Sequence, residues 1–124
     1  MEESNQQIPD KIAEVLKLRA QARKEGFWYS TYEPELPMPV ANVLTEQEAK
    51  EIYDLIVEKQ KDSYQMMYRG LSHSRITNET LGCMEFETKD YSWRWPGDFA
   101  EHYILKYRVK PSDDFLKFLN YETI

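Results

Sequence analysis

Cysteine is nearly absent: Cys83 is the only one in 124 residues, which excludes an internal disulfide and suits a reducing cytoplasm. Long apolar runs are missing too. No stretch approaches the ~20 residues that a membrane span needs. The first residues, Met-Glu-Glu-Ser-Asn-Gln-Gln, carry neither the basic nor the apolar region of a signal peptide. Basic charge is short, with 16 Lys and Arg against 22 Asp and Glu and a net charge of −6. Proteins that track phosphates need a positive field, so duplex nucleic acid is not an expected partner. Metal ligands are also few. Two histidines and one cysteine, none within four residues of another, form no metal signature, and no cofactor is expected.

What is present is aromatic and acidic. Nine Tyr, five Phe and three Trp can build a core and still leave rings with polar edges for an interface. The charge imbalance sits in residues 1–62, with 13 acidic and 8 basic side chains, while residues 63–124 hold 9 and 8. An acidic half of this kind fits a basic protein partner. The length fits a single domain over residues 1–124, with an N-terminal helix and proline-rich linker in residues 1–40 and an α+β core in residues 41–124.

Local patterns predict the elements. Pro9 and Asp10 open a first helix whose thin apolar stripe is Ile12, Val15, Leu16 and Ala22, and Gly26 has the position of a helix stop. That helix either covers one side of the core or stands off as an arm. Residues 27–39 hold Pro34, Pro37 and Pro39 and read as an extended linker, or else as a peptide for a partner's groove. Thr45 with Glu48 forms a capping box, and Leu44 with Ala49 a hydrophobic staple. Ala49, Ile52, Tyr53, Leu55 and Ile56 then mark the buried face of a second helix. Residues 64–69 and 84–88 read as strands. Residues 98–107 fit a strand by alternation and a helix by the position of Asp98. Ser112 caps a short last helix that turns Phe115, Phe118 and Leu119 inward. The expected fold is α+β: two N-terminal helices, a small antiparallel sheet and one or two short C-terminal helices.

The 14 residues from Gly70 to Cys83 are mostly polar, and so long a loop in a small domain is usually functional. Arg69, His73, Ser74, Arg75 and Asn78 crowd it. Catalysis by Cys83 would need a paired histidine, and no spacing joins it to His73 or His102. Tyr68-Arg69-Gly70 resembles the first motif of ADP-ribosyltransferases, in which the arginine holds the dinucleotide. In those enzymes a serine-bearing strand and then a Glu-x-Glu turn follow, whereas here Glu85-Phe86-Glu87 precedes Tyr91-Ser92. Arg69, Arg75 and Arg94 among Tyr and Trp could otherwise form an anion site, unless they pair with Glu85, Glu87 and Asp90.

Residues 68–119 also resemble a small bacterial family with the pattern Tyr-Arg-Gly, Cys-Arg-x-Cys, Leu-Gly or Asn-Gly, an acidic strand, Trp-Pro, His-Tyr, a second His, and Pro-x-x-x-Phe. The matching residues are Tyr68-Arg69-Gly70, Ser74 to Thr77, Leu81-Gly82, Glu85, Trp95-Pro96, Phe99, His102-Tyr103, Tyr107, Pro111 and Phe115. The resemblance implies a zinc-binding module of Cys₂His₂ type. This chain has Ser74, Thr77 and Tyr107 at three of the four ligand positions and keeps only His102, so the implied metal is lost. It also implies a helix over residues 98–107, with His102 near Ser74 and Thr77. The binding residues expected from all these readings are Arg69, His73, Arg75, Trp95, His102 and Tyr107. The expected function is non-catalytic: a cytoplasmic, immunity- or antitoxin-like binding protein. The alternatives are an ADP-ribosyltransferase-like or nucleotide-binding protein centred on Arg69 and a degenerate zinc module kept as a scaffold.

Overall fold

The computed structural model describes residues 2–67 and 70–122, with side chains from residue 10 onward. Over these described residues the fold is mixed α+β, with four helices and a four-stranded sheet. Its helices are α1 (Glu2–Ala20), α2 (Glu46–Lys61), a π-helix (Phe99–Lys106) and α3 (Asp113–Phe118). Its strands are β1 (Arg23–Lys24), β2 (Ser63–Met67), β3 (Met84–Thr88) and β4 (Trp93–Pro96), in the order β1-β4-β3-β2. β2, β3 and β4 pair antiparallel, but β1 lies parallel to β4. The sheet is therefore mixed rather than antiparallel.

Where local chemistry is strong, the elements follow it. Thr45 accepts the Glu48 amide and Glu48 accepts the Thr45 amide, so the capping box is closed in both directions. Ala49, Ile52 and Ile56 line the buried face of α2. Ser112 Oγ accepts the Phe115 amide at 3.2 Å and starts α3. Phe115, Leu116 and Leu119 are buried, while Phe118 is half-buried.

The first helix departs from its local reading. α1 begins before Pro9 and carries it internally, and it ends at Ala20 because strand pairing takes over: the Arg23 and Glu25 amides bond to the Ser92 and Arg94 carbonyls. Gly26 is not a helix stop. Its φ of +78° and a Cβ position only 2.5 Å from the Phe99 ring require glycine there for close packing. Ile12, Val15, Leu16 and Leu18 are all exposed, so α1 is the arm rather than a cover for the core. Arg19, near its end, reaches the sheet and pairs with Glu87 at 3.2 Å. Glu87 is only 2% exposed and takes a second arginine, Arg94, at 2.8 Å; a buried carboxylate needs such pairing.

Residues 99–106 form neither an α-helix nor a strand. The wider π turn buries Phe99, Ala100, His102, Tyr103 and Ile104 together. Asp98 precedes this helix but gives it no side-chain cap; its carboxylate accepts from Ser72 at 2.9 Å. The core holds Trp93, Trp95, Phe99, Phe115 and the buried face of α2.

Candidate functional site

The polar stretch 70–83 folds back on itself. Leu81 N–H bonds to Ser72 O at 2.8 Å, Ser72 N–H to Gly82 O at 3.1 Å, and Ser74 N–H to Glu79 O at 2.8 Å. His73 and Thr80 form a bridge between the two arms, and Asn78, at φ 64°, makes the turn. Ser72 Oγ anchors this hairpin to Asp98, ahead of the π-helix.

Its tip meets the π-helix in a polar cluster whose Ser74 and His102 are buried while Thr77 and Glu79 are exposed. Ser74 is 3% exposed, and its Oγ accepts the Ile76 and Thr77 amides at 3.1 and 3.0 Å. The same oxygen lies within hydrogen-bond distance of His102 Nε2, 2.7 Å away. On the other ring nitrogen, Nδ1 faces Glu79 Oε1 at 3.8 Å. Thr77 Oγ1 donates to the same Glu79 oxygen at 2.9 Å. Tyr103 and Tyr107 each close on the His102 ring edge-to-face, with centroids 5.0 Å away. The order Ser–His–Glu has the letters of a nucleophile relay. The Ser74 hydroxyl is buried and accepts two amides, and the cluster ties the hairpin tip to the π-helix.

Beside it lies an open cleft of about 350 Å³ between residues 26–36, the 70–83 hairpin and the β3–β4 corner. Phe27, Trp28 and Tyr103 form aromatic walls, and Glu33, Glu85 and Asp98 are its carboxylates. Burial raises the Glu85 and Asp98 carboxyls above their ordinary range; Arg94 partly offsets this at Glu85, as the Ser72 hydroxyl does at Asp98. A raised carboxyl favours folding while it is protonated, and that advantage is lost as pH rises through its folded-state value. Glu85→Gln, which mimics the protonated form, is therefore expected to melt higher than the parent near pH 7. The difference should shrink towards pH 4. A gap that stays constant with pH in circular-dichroism melts would remove burial of the charge as its cause.

The residues expected from sequence divide into four groups. His73 and Arg75 line the cleft. His102 and Tyr107 belong to the cluster behind it. Trp95 is fully buried and donates from Nε1 to Gln60 at 3.1 Å, so it is a core residue rather than a surface contact. Arg69 and Tyr68 lie outside the described residues. Arg75 has a structural task as well, because Nε and Nη1 donate to the Tyr29 and His73 carbonyls at 2.9 and 2.8 Å. Cys83 lines the cleft with His73, and no hydrogen bond joins the two among the described residues. Glu85, Asp98 and Trp28 were not singled out as site residues. Alternation in β3 gives Glu85 the same face as Glu87, but nothing local brings Asp98 to it. No group of His, Cys, Asp or Glu that could hold a metal ion occurs among the described residues, and no described helix is long and apolar enough to cross a membrane.

No protein-family model matches the chain, and neither does any curated protein or solved structure.

Proposed function

We propose that this chain is a non-catalytic binding protein of the bacterial cytoplasm, immunity- or antitoxin-like, that acts by contact with a basic protein. The observation that carries the reading is where its apolar surface lies. Ile12, Val15, Leu16 and Leu18 stand exposed on α1, followed by Tyr29, Tyr32, Met38, Val40 and Val43 along the proline-rich stretch. Tyr32 is 93% exposed. Residues 1–62 also carry the acidic excess. Exposed apolar groups set among like charges are the composition of a protein-binding surface.

The test is capture of a basic partner by the tagged chain, compared with an Ile12→Asp, Leu16→Asp double variant. Both positions are exposed, so the variant keeps its circular-dichroism spectrum. It is expected to weaken capture at least about tenfold, the size of one lost anchor. Equal capture by both proteins would sink the reading. A melting temperature that climbs with NAD concentration would favour the rival centred on Arg69.

A second reading, a degenerate zinc module kept as a scaffold, is supported by the position of its residues. Ser74, Thr77 and His102 share one hydrogen-bonded cluster, with the Tyr107 ring against the imidazole. The two readings are compatible, since a scaffold can present a binding surface.

A further inference from the structure

We propose that the cleft lined by Trp28, Glu85, Asp98 and Tyr103 receives the guanidinium group of an arginine side chain presented by the protein partner. This rests on the binding-protein reading and names the place and chemistry of one contact. The cleft, about 350 Å³, lies in the size range of pockets that enclose a small ligand. Two of its three carboxylates, Glu85 and Asp98, have limited local compensation. Arg94 Nε lies 4.0 Å from Glu85 Oε1, while Arg94 Nη2 donates a hydrogen bond to Glu87. Among the described residues Glu85 Oε1 is buried without a hydrogen-bond partner, and the Asp98 carboxylate accepts from the neutral Ser72 hydroxyl. Arg75, at the rim, is committed to two backbone carbonyls.

An incoming cation would offset the burial that disfavours both carboxylates. The walls select which cation. Trp28, half-buried and backed by the buried Tyr103 ring at 5.2 Å between centroids, offers a face on which a flat, weakly hydrated group can stack. A guanidinium also carries a fork of donors that can serve two carboxylates at once, whereas an ammonium is a compact point charge. Leu36, Leu71 and Met84 supply apolar contact for the alkyl stem.

The three tryptophans give three indole N–H signals in protein labelled with nitrogen-15 at that position, and Trp28→Phe identifies the one that reports on the cleft. N-acetyl-arginine methylamide, titrated to about 20 mM, is expected to move the Trp28 signal saturably, as a millimolar dissociation constant requires. The signals of Trp93 and Trp95, both buried, should hold still and show that the fold is intact. The citrulline analogue, equal in shape but uncharged, should bind at least about tenfold more weakly, as should the arginine probe with a Glu85→Gln, Asp98→Asn variant. No movement of the Trp28 signal, or an equal response to citrulline, overturns the proposal. Saturable binding of agmatine with none of the peptide amide overturns its assignment to a partner's side chain. If the basic protein is captured equally by the double-carboxylate variant, the cleft is wrong and the partner stands. If the probe binds but no basic protein is captured, the cleft stands and the partner reading fails.

Discussion

Trp95→Ala is expected to destabilise the chain severely, rather than leave it at full stability and unable to bind. The Trp95 ring is fully buried. It meets Phe115 edge-on at 5.6 Å and stacks with Phe86 at 6.1 Å, so it joins α3 to the sheet. Its Nε1–H donates to Gln60 and ties α2 to the same point. Removing such a ring costs about 3–5 kcal/mol, through lost transfer energy and the cavity left behind. A domain of this size has only about 5–15 kcal/mol in all. Trp95→Phe keeps most ring contacts and forfeits the Gln60 bond, and about 1–2 kcal/mol is the expected loss. Urea unfolding followed by circular dichroism measures both. A Trp95→Ala protein that unfolds at the parent midpoint yet fails to capture the partner would return Trp95 to the list of binding residues.

Ser74→Cys, Thr77→Cys and Tyr107→His together are expected to create a tetrahedral zinc site. Residues 74 and 77 have the spacing of a paired-cysteine turn, and the Ser74 oxygen already receives the Thr77 amide at 3.0 Å. His102 Nε2 stands 2.7 Å from that oxygen, and the Tyr107 ring packs against the imidazole with centroids 5.0 Å apart. Zinc at about a hundredfold excess over its dissociation constant would stabilise the folded chain by about 2.7 kcal/mol, raising the melting temperature by roughly 10 °C. A chelator should reverse the rise, and cobalt(II) should give the visible absorption of a tetrahedral thiolate complex. The parent protein, with one imidazole at the site, should show neither. A triple variant that folds and ignores both metals would end the degenerate-zinc reading. An equal zinc response in the parent would show that the metal was never lost.

Legibility followed the range of the interaction. The capping box of α2 and the Ser112 cap of α3 are built from residues three apart, and both formed as the sequence reads. β3 also stands where alternation placed it. Residues 98–107 defeated periodicity because a π turn is neither the α period nor the β period. Five buried residues between Phe99 and Ile104 make a pattern that both templates half fit. α1 was ambiguous because its stripe is thin, and no local signal states whether a stripe will find a surface. Trp95 was misplaced among binding residues because a tryptophan that suits an interface suits a core equally well.

By itself the sequence determined the helices with strong caps, the α+β class, the acidic N-terminal half and the shortage of metal ligands. These depend on composition or on residues within one helical turn of each other. Only the tertiary structure decided that Ser74 and His102, 28 positions apart, share a hydrogen bond. The same is true of Ser72 and Asp98, 26 positions apart, which meet beside the cleft. Such pairs meet only after the core has closed the chain between them. Apolar burial repays the entropy of that closure, and no local propensity encodes it.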